Sequence, residues 1–170
     1  MIIASIFLVF PLCLALAALT DLFAMTIPNR ISVILLGTFI AVAFASGMDW
    51  QTLGLSLAAG LVVFLVCFLM FALNVMGGGD AKLLTGCAVW FGFNASLATF
   101  LISVAFVGGI LTLGILLLRS RSQEITAIGL PIPHSLLIAK KVPYGIAIAV
   151  AGLLTYPEAP IVQAAMRALL

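Results

Sequence analysis

From Leu83 to Leu118 the chain runs for 36 residues without one charged side chain. As a single helix rising about 1.5 Å per residue, that stretch would reach about 54 Å, nearly twice the roughly 30 Å hydrocarbon core of a bilayer. It must turn back on itself. The turn chemistry lies at Gly92-Phe93-Asn94-Ala95-Ser96, where a glycine and an asparagine break the apolar pattern. This predicts one helix near 80–93 and another near 96–118.

The rest of the chain has the same character, at 65% hydrophobic and 7% charged, against roughly 25% charged in an ordinary soluble domain. No water-soluble surface can be assembled from it, so the expected fold is all-α, a polytopic membrane helix bundle with membrane lipid as its surroundings. Further apolar runs lie at about 2–20, 31–47 and 52–75, and a last one runs from Val142-Pro143-Tyr144 to about Tyr156. That makes about six transmembrane helices in one membrane-embedded domain over 1–170. Ala15 and Ala17 give the first run a small-x-small pattern like a secretory signal. No Lys or Arg precedes Arg30, so this run is read as a retained helix with its N-terminus outside.

Six spans put the connections 21–30, 76–82 and 119–142 on one side, and with them Arg30, Lys82, Arg119, Arg121, Lys140 and Lys141, six of the seven basic residues. The positive-inside rule makes that side cytoplasmic. Seven basic residues do not suggest nucleic acid as a partner. Cys13, Cys67 and Cys87 are scattered singly, which supports neither a metal site nor a disulfide framework, and no cofactor is expected. Residues 125–139 contain Gly129, Pro131 and Pro133, a poor span, and are read as an interfacial or partly re-entrant piece. Tyr144 and Tyr156 are expected at opposite interfaces. Asp49 reads as an interface marker, His134 as a surface histidine, and Met25, Met48, Met70, Met76 and Met166 as packing or interface residues. Residues 161–170 suit an interfacial tail helix.

Against this background Asp21 and Asp80, two of only three aspartates, stand out. An ionisable group near lipid is costly unless paired or wet, and is a functional candidate by default. Both fall on the predicted cytoplasmic side, 59 positions apart. Each also has a plain structural reading, Asp21 as the end of a span and Asp80 as the cap of the next helix. Their surroundings add more. Asp21 is followed by Ile27-Pro28-Asn29, and Asp80 closes Met76-Gly77-Gly78-Gly79-Asp80 with Lys82 two positions on. The glycines permit close backbone approach and offer amides to a carboxylate or a carbonyl.

In this order the motifs resemble those of the GxGD membrane aspartyl peptidases, most closely the type IV prepilin peptidases. Thr20-Asp21-Leu22-Phe23 through Ile27-Pro28-Asn29 is similar to the family's first aspartate motif, Gly77-Gly78-Gly79-Asp80-Ala81-Lys82 to its second, and Val142-Pro143-Tyr144-Gly145-Ile146-Ala147 to its last helix. The resemblance implies an aspartic endopeptidase with Asp21 and Asp80 as catalytic pair and prepilins or pseudopilins as substrates. It implies a substrate cut after a glycine, between a short basic leader and a hydrophobic helix. Gly77, Gly78, Gly79, Lys82, Pro28, Asn29, Pro143 and Tyr144 become candidates for binding substrate or shaping the site. Bifunctional members carry an extra N-terminal region with paired Cys-x-x-Cys motifs, absent from this sequence. The nearest likeness is therefore to the short, peptidase-only branch serving Flp/Tad pili, the CpaA/TadV type, without methyltransferase activity. Two other readings stay open at this point: an ion-coupled transporter subunit, and a GxGD peptidase of another substrate class.

Overall fold

The computed structural model describes residues 2–121 and 142–167, with side chains from residue 6 onward. Every regular element among them is helical. In chain order they are α1 (Ile2–Ala24), α2 (Asn29–Ala45), α3 (Trp50–Ala72), α4 (Gly78–Phe91), α5 (Ala95–Ser120), α6 (Tyr144–Thr155), a 3-10 turn (Tyr156–Glu158) and α7 (Pro160–Arg167).

The long charge-free run folds back where its turn chemistry lies. Gly92 ends α4 at φ +69°, a left-handed conformation that suits glycine. Asn94 then caps α5, its side-chain oxygen accepting from the Ser96 amide at 2.7 Å while its NH2 donates to the Phe91 carbonyl at 2.7 Å. The helix starts two residues earlier than expected, at Gly78, so Asp80 lies within the first turn and does not open it.

α4 is the inner helix. Nine of its 14 residues are buried, including Leu83, Leu84, Cys87, Trp90 and Phe91, and it packs against α2, α3 and α6. α6 lies between α1 and α5. The outer helices turn Leu61, Leu65, Leu69, Ile102, Phe106 and Leu113 outward. So much exposed hydrocarbon needs a lipid surround, and the chain is a membrane protein. Among the described residues, three helices are long and apolar enough to cross a bilayer: Ile6–Ala24, Trp50–Ala72 and Ala95–Ser120. The pair Tyr144–Glu158 and Pro160–Arg167 passes the same test as one path bent by 43°. The other two predicted spans are shorter, with α2 at 17 residues and α4 at 14. At about 1.5 Å per residue α4 covers about 21 Å.

One end of the bundle is closed by aromatic rings. Phe10 of α1 stacks on Tyr156 with centroids 4.3 Å apart and lies 5.2 Å from Trp90, while Phe91 stacks on Phe100 at 4.5 Å. The Trp90 indole Nε1–H donates to the Leu35 carbonyl at 3.0 Å, and the Tyr156 hydroxyl donates to the Ile6 carbonyl. Tyr156 is thus a core residue, 5% exposed. Its polar tip finds a backbone acceptor indoors, which makes burial tolerable. Tyr144 is also inside, half-buried against the core. Asp49 caps α3 by accepting from the Thr52 amide at 2.9 Å and the Thr52 hydroxyl at 2.7 Å. The three cysteines are free and buried. α7 buries Ile161, Val162 and Ala165 and leaves Gln163 and Arg167 exposed, so its apolar side lies on the bundle, against α1 and α4. Residues 125–139, His134, Lys140 and Lys141 lie outside the described residues.

Candidate active site

At the end of the bundle opposite the aromatic cluster, α1 and α3 finish and α2, α4 and α6 begin. Asp21 sits in the last full turn of α1, which continues to Ala24 and closes with the Met25 amide donating to the Asp21 carbonyl at 3.0 Å. Met25 then turns the chain at φ +53°. Ile27 is buried and Pro28 is extended, capping α2 by its backbone. Proline suits this point because the first amides of a helix need no intrahelical partner and its φ is already set.

Asp80 is the third residue of α4, after the capping Gly77. A carboxylate in the first turn is favoured by the helix dipole and by the unpaired amides there. It leans back over its own cap, since a Cβ on Gly77 would lie 2.7 Å from Asp80 Oδ2. Asp80 is half-buried.

α6 completes the arrangement. Pro143 caps it, and the Gly145 amide donates to Asp21 Oδ2 at 2.7 Å. Asp21, only 6% exposed, is therefore satisfied by a helix N-terminus 124 residues away in sequence. A Cβ on Gly145 would lie 2.8 Å from both Asp21 Oδ2 and Ile27 Cδ1, and one on Gly79 would lie 3.1 Å from Ile27 Cβ. Ile27 is thus wedged between the first turns of α4 and α6.

A cavity of about 690 Å³ opens here, and both Asp21 and Asp80 line it. Of the other residues singled out in the sequence, Gly77, Gly78, Gly79, Asn29 and Tyr144 line it too. Lys82, Pro28 and Pro143 are not among its lining residues. The Lys82 Nζ donates to Asn29 Oδ1 at 3.0 Å, joining the first turns of α4 and α2, and Pro143 is fully buried. Gly78 and Gly79 have Phe71 and Ile27 against them, so their missing side chains already serve packing inside the protein. The Tyr144 ring fills the notch left by Gly108 of α5.

Other residues of the site carried no mark in the sequence. Met25, Met70 and Met76, read there as packing or interface residues, line the cavity, as do Thr26, Asn74 and Val75. Gly145 belonged to a motif, but its hydrogen bond to Asp21 depends on a fold that a linear reading does not supply.

Chemically the cavity offers two carboxylates at one solvent-reaching site with apolar walls, a setting for general acid and base work. No curated protein and no solved structure matched the chain in comparison. The model of the type IV leader peptidase family does match, over residues 8–113. That stretch takes in both aspartates and more than half of the sequence, and the protein belongs to the type IV leader peptidase family.

Proposed function

We propose that the chain is an aspartic endopeptidase that removes the basic leader of type IV prepilins, with Asp21 and Asp80 as its catalytic pair. The observation that carries this reading is the shared cavity, which residues from both aspartate motifs line. Two neighbouring carboxylates do not both ionise cheaply, so the pair holds one proton between them and titrates as a unit. The ionised member takes a proton from water, and the water oxygen attacks the scissile carbonyl. The neutral member donates to the carbonyl oxygen as it gains charge. Collapse of the tetrahedral intermediate breaks the C–N bond, and the amine leaves with a proton from the pair. No covalent acyl-enzyme forms.

The Gly145 amide fixes one oxygen of Asp21, leaving the other for water or for the shared proton. Arg30, Lys82 and Arg119 lie in the predicted cytoplasmic connections, which by the positive-inside rule supports a cavity facing the cytoplasm, where a leader junction would present itself. The domain is one unit, its six helices α1–α6 crossing or entering the bilayer, and Flp/Tad-type prepilins are the first substrates to try. The test is incubation of membranes carrying the protein with a purified prepilin, followed by mass analysis of the products. One cut between leader and apolar helix is expected, and no cut across a panel of prepilins would overturn the proposal.

A further inference from the structure

α1 and α6 meet in one constant antiparallel register. Asp21 accepts from the Gly145 amide at 2.7 Å, Leu14 fills the notch of Gly152, where a Cβ would lie 2.7 Å from the Leu14 Cδ1, and the Phe10 ring stacks on Tyr156 at 4.3 Å. Seven positions separate Asp21 from Leu14 and also Gly145 from Gly152; four separate Leu14 from Phe10 and also Gly152 from Tyr156. Steps of seven and four keep one face of a helix toward its partner, so a single seam runs from the aromatic cluster to the aspartate. Ala17 and Ala149, at the matching place between Asp21 and Leu14, are both buried.

Such a seam is close but smooth. Glycine and alanine let two backbones approach, yet they offer little ridge to interlock and so set the axial position weakly. A directional contact stands at its far end, where the Tyr156 hydroxyl donates to the Ile6 carbonyl of α1. The backbone of Tyr156 is still helical, at φ −52° and ψ −39°, so a displacement there is carried along α6 to Gly145, eleven residues away or about 16 Å at the rise of a helix.

We propose that Tyr156 is a positioning residue: its hydroxyl, anchored on the Ile6 carbonyl, fixes the register of α6 on α1 and thereby places the Gly145 amide on Asp21 at the other end of the seam. The inference rests on the peptidase reading above and adds to it a group that acts on the site from the opposite end of the bundle. A hydrogen bond weakens steeply once it lengthens or tilts, and a misplacement of about 1 Å at a reacting group can cost on the order of a hundredfold in rate.

The test compares kcat and KM for cleavage of one prepilin by wild-type protein, Tyr156→Phe and Thr155→Val. Tyr156→Phe keeps the stacked ring that packs the fold and loses only the hydroxyl. Its kcat is expected to fall by about tenfold or more while KM stays within about twofold, the pattern of an interaction that counts in the transition state. Thr155→Val is the control, because the buried Thr155 hydroxyl donates to the Ala151 carbonyl at 2.8 Å, within α6 itself; whatever it costs in melting temperature, its kcat should hold. An amino group in place of the Tyr156 hydroxyl, supplied as p-aminophenylalanine, still donates and should restore kcat. Combined with Gly145→Ala, Tyr156→Phe should add no further loss, since both act through one amide, whereas independent sites this far apart would show additive effects. An unchanged kcat in Tyr156→Phe, an equal fall in Thr155→Val, or losses that multiply in the double variant would overturn the role of Tyr156 and leave the peptidase reading standing. Absence of any cleavage by the wild type would overturn the peptidase reading itself, and this role with it.

Discussion

Hydrogen is all that stands on the α-carbon of Gly145, and that is why its amide can come within 2.7 Å of Asp21. A methyl group there meets Asp21 Oδ2 and Ile27 Cδ1 at 2.8 Å and Asp21 Cβ at 3.0 Å, separations closer than van der Waals contact allows. Gly145→Ala should therefore displace the carboxylate and lower the rate of leader cleavage by at least about tenfold, equivalent to about 1.4 kcal/mol of lost transition-state stabilisation. Gly86→Ala is the control, because its Cβ meets Leu35 at an ordinary 3.5 Å; cleavage should be unchanged. Parallel rate measurements on the two variants decide the point, and a Gly145→Ala protein as active as wild type would contradict this role. At this scale the sequence was legible where chemistry is costly in lipid. Asp21 and Asp80 show themselves as charges in hydrocarbon. Met25 does not, because nothing in a methionine announces a positive φ, and Gly145 does not, because its partner is 124 positions away.

Helices were legible through their punctuation. Gly92 and Asn94 marked the break between α4 and α5 correctly because left-handed backbone and side-chain capping are properties of those residue types. The start of α4 was misplaced by two residues because glycines carry no helix signal, yet Gly78 and Gly79 are helical here, held by neighbours against Phe71 and Ile27. The cap of α3 gives a pH prediction. The Thr52 hydroxyl and amide hold the Asp49 carboxyl below its usual range, so this group favours the folded state fully above the ordinary aspartate value of about 3.9. That contribution is lost as pH falls through the lower native value. Thermal melts across the acid range should show a decline that is shallower in Asp49→Asn, whose cap does not titrate. An identical decline in both proteins would remove Asp49 from the account.

The whole molecule is a bundle with two unlike ends. Packed rings of Phe10, Trp90, Phe91, Phe100 and Tyr156 close one end, and at the other five helices stop or start around a cavity of about 690 Å³. A packed end that resists rearrangement positions the helix termini at the opposite end, where both aspartates lie. Composition alone made the membrane environment legible. It did not make legible which helix is innermost, because α4 is no more apolar than its neighbours and is buried through its contacts with α2, α3 and α6. The central claim is that Asp21 and Asp80 work as one unit. Its most direct test compares leader cleavage by Asp21→Asn, Asp80→Asn and the double variant, each an isosteric change, and Asn at position 21 keeps an acceptor for the Gly145 amide. Members of one catalytic unit show non-additive losses, so each single variant should fall to the same background rate as the double. Near-normal processing by either folded single variant, or losses that multiply in the double, would contradict the account.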